Sequence, residues 1–254
     1  MCFVFVIHDT CFMIYDMSGH SKWAKIHRQK GAADAKRGNL FTKHSKNITI
    51  AARGGGDPTM NFALRLAIDK AKADNMPKDN IEKAIKRGTG EIEGVTFEEV
   101  IYEGFAPGGA ALLIEGITDN KNRTTPEIKA LLSKNGGSLG AQNSVKWMFE
   151  HKGVIYFGPE QISNKDELML ELIDFGADDV IEEDNGLTAY TSFENFEKVK
   201  KAIEQKDIKP EYAAIEWVAK DAQAVDAETK EKIDRLVELL EEHDDVNGVY
   251  TNVD

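Results

Sequence analysis

Cysteine is almost absent from this sequence of 254 residues, and its two cysteines, Cys2 and Cys11, both lie among the first 16. The body of the chain therefore cannot form a disulfide framework, a cysteine-based metal site or a Cys/His catalytic pair, and it suits a reducing compartment. Apolar runs are also short, and none approaches the roughly 20 residues that a bilayer-spanning helix needs. We therefore expect a soluble, cytoplasmic protein with no membrane partner.

The sequence also lacks the short motifs that mark common catalytic and metal sites. The triple glycine Gly54–Gly56 has no strand before it and no G-K-[ST] after it, so it does not make a P-loop. The patterns G-x-S-x-G and H-E-x-x-H are missing. The histidines His20, His27 and His44 lack metal-ligand spacing and lie among cations that would repel Zn²⁺. We expect no enzymatic activity, cofactor, metal or small-molecule substrate, and the oligomeric state stays open.

The first 16 residues differ in character from the rest of the chain. They are apolar, contain no arginine, carry Asp9 and Asp16 and end without a small-residue cleavage site. They therefore resemble neither a secretory signal nor a transit peptide. We interpret residues 1–16 as an over-long or disordered extension ahead of an initiator at Met17. A short extra strand or an anchor is the alternative.

Charge is strongly segregated along the chain, although the whole sequence carries a net charge of −12. Residues 17–90 contain 16 Lys/Arg and 6 Asp/Glu, a net charge of +10. Residues 91–254 contain 16 Lys/Arg and 36 Asp/Glu, a net charge of −20. Solubility does not require such segregation. We interpret it as a basic unit that meets a polyanion, joined to an acidic body that repels phosphate.

The basic segment is predicted to form three helices. Apolar residues spaced by three and four give the first helix one buried stripe, namely Leu40, Phe41, His44, Ile48 and Ala51 or Ala52. Gly54–Gly56 end this helix, and Asp57 and Pro58 are placed as the N-cap and first residue of the second. Pro77 opens the third helix and Gly88 closes it. Short connections between the helices predict a small bundle.

Beyond residue 90 the periodicity changes to alternating strands and helices. We predict strands over 100–105, 110–118, 145–150, 153–158, 186–192, 211–219 and 247–253, and helices over 125–137, 165–180, 195–206 and 226–244. The order from about 145 to 218 fits a split βαβ unit of the ferredoxin-like type. Neither flanking segment has enough strands by itself. The predicted α+β fold therefore has a helical domain (17–90), a discontinuous α+β domain (91–142 plus 222–254) and an inserted α+β domain (143–221).

The basic N-terminal segment is the main candidate for a nucleic-acid interface. Residues 17–30 combine four Lys/Arg with Trp23, which could stack on an unpaired base, and further cations follow along the first helix. The predicted nucleic-acid-binding residues of this segment are Lys22, Trp23, Lys25, His27, Arg28, Lys30, Lys36, Arg37, Lys43, Lys46 and Arg53.

A second candidate is the loop TDNKNRTTPE at 118–127, whose cations Lys121 and Arg123 lie in an otherwise acidic region. We start the following helix with Thr125 as its N-cap and Pro126 as its first residue. A helix N-terminus with such neighbours can hold a phosphate, so Lys121 and Arg123 join the predicted nucleic-acid-binding residues. A turn and an N-cap with two solvated cations is the alternative.

Several motifs in one order resemble a known family. The motifs GHSKWAKI, AARGGGDP, YEGFAPGGAALLIE, TDNKNRT, SVKWMFE and DDVNGVYTN run from just after Met17 to near the end of the chain and resemble the YebC family. That family includes the mitochondrial translational activator of cytochrome c oxidase. The resemblance implies a helical N-terminal bundle and two α+β domains around a cleft. It begins at Met17, which supports an initiator there, and it departs at Asn143, where glycine is usual.

The resemblance also implies a cytoplasmic, nucleic-acid-associated regulator without catalytic activity. One hypothesis is a DNA-binding transcriptional regulator whose basic helices contact phosphates, although no helix-turn-helix pattern is evident. The other is a ribosome-associated translation factor that binds ribosomal RNA and relieves stalling at sequences such as proline runs. Trp23 among cations suits unpaired RNA. The expected partners are therefore DNA, ribosomal RNA or both.

Overall fold

The computed structural model describes residues 34–183 and 186–253, so the segment 1–33 lies outside it. In chain order the helices and strands are α1 (Asp34–Ala51), α2 (Phe62–Ala73), α3 (Lys78–Gly88), β1 (Glu98–Phe105), β2 (Ala111–Thr118), α4 (Lys121–Lys134), β3 (Ser138–Leu139), β4 (Phe149–Phe157), α5 (Lys165–Phe175), β5 (Asp179–Glu183), β6 (Gly186–Ser192), α6 (Phe193–Gln205), β7 (Tyr212–Ala219), α7 (Ala227–Glu241) and β8 (Val246–Thr251). Among the described residues, no helix combines the length and the apolar character needed to cross a membrane.

Helices α1, α2 and α3 form the predicted three-helix bundle. Its core contains Ile48 from α1, Leu64 and Ile68 from α2 and Ile81 from α3. Their spacing of three and four turns one apolar face of each helix inward, as the sequence pattern predicts.

The second helix begins four residues later than predicted. Asp57 accepts hydrogen bonds from the backbone and hydroxyl of Thr59 and so forms a turn instead of a cap. The N-cap is Asn61, whose side chain accepts a hydrogen bond from the backbone N–H of Leu64. Both residues are good helix caps, and the local hydrogen bonds of Asp57 make the difference.

The discontinuous α+β domain contains an antiparallel sheet in the order β3-β1-β2-β8. Strand β8 comes from the end of the chain and pairs with β2, so that Leu113 lies opposite Tyr250. Helices α4 and α7 cover one face of the sheet, where Ile114, Ile128 and Leu236 are buried together. The pairing of β2 with β8 confirms that one α+β unit is inserted into the other, because the chain leaves this sheet after β3 and returns to it at β8. The exact domain boundaries stay predictions.

The inserted domain has the ferredoxin-like arrangement. Its antiparallel sheet runs in the order β5-β6-β4-β7, and α5 and α6 pack on one face around Ile155, Leu172, Phe196 and Val199. The helix predicted over 165–180 is shorter and is followed by strand β5. Gly176 ends the helix because its φ of 110° lies in the left-handed region.

Two further predictions near the domain junction are wrong. Helix α4 starts at Lys121 instead of Thr125, because Asn120 caps it by accepting hydrogen bonds from two backbone N–H groups of the first turn. The strand predicted over 145–150 is replaced by a short 3₁₀ turn at Lys146–Met148 that leads into β4. The buried carboxylate of Glu103 accepts hydrogen bonds from the backbone N–H groups of Asn143, Val145 and Lys146 and holds this turn.

The helical bundle contacts the inserted domain through α2 and α6. The ring of Phe62 meets Phe196 edge to face with 6.1 Å between centroids, and Arg65 forms a 2.8 Å ion pair with Glu197. The two α+β units also contact each other, since Leu113 of β2 packs against Phe149 of β4. The three units are therefore joined by both apolar and charged contacts.

Candidate nucleic-acid interface

Most of the predicted interface in the N-terminal segment falls outside the described residues. This applies to Lys22, Trp23, Lys25, His27, Arg28 and Lys30, as well as to His20. Lys36 and Arg37 lie near the start of α1. The contribution of all these residues to binding stays a prediction.

The predicted cations Lys43 and Lys46 of α1 point towards the turn between α7 and β8. The Nζ of Lys46 lies 2.5 Å from Oδ1 of Asp245 and donates to the backbone oxygen of Asp244 at 2.9 Å. Lys43 donates to the backbone oxygen of Glu241. Burial lowers the pKa of Lys43 from 10.5 to about 8. Both ammonium groups therefore join the helical bundle to the discontinuous α+β domain in this structure.

Asp245 is the centre of a buried polar network. It is 2 % exposed and accepts hydrogen bonds from Lys46, from the guanidinium of Arg123 at 2.8 Å and from the hydroxyl of Thr124 at 2.6 Å. Burial by itself raises the pKa of Asp245, but these donors outweigh it and hold the pKa well below the ordinary value. Lys46 of the N-terminal segment and Arg123 of the loop at 118–127 therefore both contact the carboxylate of Asp245.

Two further cations of the predicted set, Arg53 and Lys121, lie at the surface. Arg53 is exposed and donates to the backbone oxygen of Phe97 at 2.6 Å. Lys121 is 52 % exposed and pairs with Glu98 at 2.8 Å. Exposed pairs of this kind contribute little to stability, so a phosphate can compete for either cation at small energetic cost.

Sequence reasoning did not single out four exposed lysines on α2 and α3. Lys70 and Lys72 lie on α2, and Lys83 and Lys86 lie on α3. Within the described part of the chain none of the four has an acidic side chain within ion-pair distance. These lysines alternate with the buried positions of both helices. This polar face is the sequence pattern that could have identified them as part of the basic surface. They extend the basic surface beyond the N-terminal segment.

Sequence reasoning also missed an aromatic cluster beside the junction of the two α+β units. The ring of His151 on β4 stacks on Trp217 of β7 with 4.8 Å between centroids, and on Phe193 with 5.8 Å. The ammonium of Lys146 lies over the ring of Trp217, 5.1 Å from its centroid. The strand register brings His151 and Trp217 directly opposite each other. No linear motif signals this cluster, because its members are far apart in sequence.

Histidines and acidic residues of the described segments do not form a metal site. No group of three or more potential His, Cys, Asp or Glu ligands occurs among the residues that the structure describes. His44 is 3 % exposed, and its Nε2 lies 2.6 Å from a carboxylate oxygen of Asp74.

The sequence of this chain matches two family models and is similar to the sequences of known proteins. Residues 21–91 match the family model of the TACO1/YebC protein N-terminal domain, and residues 97–253 match that of the TACO1/YebC second and third domain. A relative from Halothermothrix orenii, named "Probable transcriptional regulatory protein", is 54% identical over 241 residues, which cover 94% of this chain and 95% of the relative. A relative of the same name from Dictyoglomus thermophilum is 50% identical over 239 residues, with coverages of 94% and 96%.

A solved structure is similar over most of the chain. The crystal structure of a conserved hypothetical protein from Aquifex aeolicus matches with a TM-score of 0.80 and 43% sequence identity. The match covers 87% of this chain and 91% of the other. It supports the arrangement of the helical and α+β units described above.

Proposed function

Because this chain belongs to the TACO1/YebC family, we propose that it is a nucleic-acid-binding regulator of gene expression that acts as a DNA-binding transcriptional regulator. The segregation of charge carries this proposal: residues 17–90 are net +10 and residues 91–254 are net −20. Its relatives are named as probable transcriptional regulatory proteins, which agrees with such a role. Membership of the family also confirms the resemblance drawn from the sequence motifs.

The proposed interface is the basic N-terminal segment together with the exposed lysines of the helical bundle. Cations at phosphates give affinity that is nearly independent of base sequence and falls steeply with salt. The net negative charge of the body repels phosphates at long range, so the basic surface is the face that meets the polymer first. In this proposal the contact of Lys46 with Asp245 keeps the basic surface in a fixed orientation on the body. Arg123 belongs to the same domain as Asp245, and its hydrogen bond positions the carboxylate that Lys46 contacts.

The second candidate is a translation factor that binds ribosomal RNA in the cytoplasm. The exposed Trp147 and the stack of Phe193, His151 and Trp217 favour it, because aromatic rings bind unpaired bases that duplex DNA does not offer. Neither candidate requires catalysis, so the protein is proposed to act by binding alone.

Crosslinking in cells, followed by sequencing of the bound nucleic acid, distinguishes the two candidates. A transcriptional regulator yields discrete promoter DNA without ribosomal RNA. A translation factor yields ribosomal RNA and sediments with ribosomes without a promoter footprint. Recovery of neither polymer would overturn both.

A charge-matched pair of variants tests the interface itself. We expect replacement of Lys22, Lys25, Arg28 and Lys30 by Ala to abolish binding in a filter-binding titration at moderate salt, with an unchanged circular dichroism spectrum. The control removes four exposed lysines from the acidic body, namely Lys129, Lys134, Lys209 and Lys232. Equal binding by both variants would contradict the proposed interface.

A further inference from the structure

The three stacked rings beside the junction of the α+β units form a continuous aromatic column. His151 lies between Phe193 and Trp217, with interplanar angles of 19° and 29°. The indole N–H of Trp217 donates to Glu115 at 2.6 Å, which fixes this ring against β2. The column is therefore anchored at the Trp217 end.

The other end of the column is open. Phe193 is 57 % exposed, although one of its faces is covered by His151. Phe193 is the first residue of α6, and Ser192 caps this helix by accepting a hydrogen bond from Asn195. The backbone around Phe193 is thus held by the helix start, so its ring presents an apolar face to solvent at a defined position.

Two carboxylates near the column, Glu150 and Glu115, already have partners. Glu150 is near Lys152 at 3.1 Å and Lys220 at 3.9 Å, and Glu115 accepts hydrogen bonds from Trp217 and Tyr250. Glu194, which follows Phe193, is an exposed carboxylate beside the open end.

One cation near the column is available to a phosphate. Lys146 lies over the ring of Trp217 and has no acidic partner within ion-pair distance among the described residues. It also lines a groove that contains Lys121 and Asn143 together with the carboxylates of Glu99 and Glu103. A flexible strand that crosses the column can therefore meet the ammonium of Lys146 with its backbone.

We propose that the stack of Phe193, His151 and Trp217 is a platform for single-stranded nucleic acid, with an unpaired base on the open face of Phe193 and with Lys146, at the Trp217 end, contacting the backbone of a nucleotide farther along the strand. An unpaired base is the fitting ligand because its π-face matches an aromatic ring and its phosphates match a nearby cation. A duplex hides its base faces and cannot use the column. This inference rests on the proposed nucleic-acid binding and deepens it.

The test uses the full-length protein and short oligonucleotides. A ten-nucleotide oligoadenylate with one central 2-aminopurine, made as RNA and as DNA, reports base stacking through quenching of its fluorescence. A 20-base-pair duplex reports phosphate binding alone. For the variant Phe193→Ala we expect roughly five- to 150-fold weaker binding of the single strand and loss of the quenching, the range for removing one base–aromatic stack. Duplex affinity is expected to stay unchanged.

Two further variants control for shape and for exposed apolar surface. Phe193→Trp keeps a stacking face and is expected to retain binding. Leu170→Ala removes another exposed apolar side chain of the same domain and is expected to change nothing. The comparison of RNA with DNA shows which single strand is preferred.

The outcomes separate this inference from the proposed function. Unchanged single-strand binding and quenching by Phe193→Ala, with wild-type duplex binding intact, would overturn the platform and leave the proposed function standing. An equal loss of single-strand and duplex binding would also overturn it. A wild-type protein that binds neither probe would overturn both.

Discussion

Replacing Asp245 by Asn tests whether the buried polar network holds the helical bundle on the body of the protein. Asp245 accepts hydrogen bonds from Lys46, Arg123 and Thr124, and Lys46 itself is 7 % exposed. Asp245→Asn removes the negative charge with almost no change in shape. It leaves the buried ammonium of Lys46 with neutral acceptors in place of a carboxylate, namely the backbone oxygen of Asp244 and the single amide oxygen of the new side chain.

The expected loss follows from the cost of a buried charge without its partner. Removing one member of a buried ion pair destabilises a protein by about 3–5 kcal/mol. We expect about 3 kcal/mol here, because Asn keeps one acceptor oxygen and Arg123, which is 46 % exposed, still pairs with Asp119. The same substitution at Asp244, whose side chain is exposed, is expected to change the free energy of unfolding by less than about 0.5 kcal/mol.

Urea unfolding measures both variants, with circular dichroism and tryptophan fluorescence as two probes whose coincidence supports a single transition. A double-mutant cycle with Lys46→Met isolates the coupling between the two charges, which we expect to be at least about 1 kcal/mol. Equal losses for Asp245→Asn and Asp244→Asn, or a coupling of zero, would refute the reasoning.

The stability difference between wild type and Asp245→Asn is also expected to depend on pH. The pKa of Asp245 is lower in the folded state than its ordinary value of 3.8, so its stabilisation is complete above that pH and is lost as the pH falls below it. The stability gap between wild type and Asp245→Asn should therefore stay constant from pH 7 to about pH 5 and narrow below pH 4. A gap that closes already near pH 6 would contradict this assignment.

Three other predictions concern single residues. Because the pKa of Lys43 falls from 10.5 to about 8 in the folded state, the unfolded state holds more protons between these values, and wild-type stability should rise relative to Lys43→Met by up to about 3 kcal/mol from pH 8 to 10.5 in urea titrations. Glu103→Ala leaves three backbone N–H groups without their acceptor, so thermal unfolding should show at least about 2 kcal/mol of lost stability, whereas the exposed neighbour Glu99→Ala should show little. Gly153→Ala should cost about 1–3 kcal/mol, because the added Cβ would lie 2.3 Å from the ring of Phe196; an unchanged melting temperature would contradict this packing.

Much of the fold follows from local patterns in the sequence. The apolar spacing of the first basic segment predicts α1, and Pro77 and Gly88 mark the start and end of α3. Element boundaries were less accurate where two caps compete. Asp57 and Asn61 are both good N-caps, and the hydrogen bonds of Asp57 to Thr59 decide between them.

Some local features become clear only with backbone geometry. Asn143 has a φ of 64°, in the left-handed region that glycine adopts without steric cost and asparagine tolerates. This explains why asparagine can stand at a position where the family resemblance expects glycine. The conformation is supported by Glu103, which accepts a hydrogen bond from the backbone of Asn143.

By itself, the sequence determined the α+β class, the inserted domain, the charge segregation and the family resemblance, because these depend on periodicity, composition and order along the chain. Tertiary structure alone decided that Lys46 and Arg123, 77 residues apart, share the carboxylate of Asp245, and that Phe193, His151 and Trp217 stack in one column. The physical reason is that a cation looks the same in sequence whether it meets a buried carboxylate or a solvent-facing phosphate. Only the packing of distant elements selects between the two.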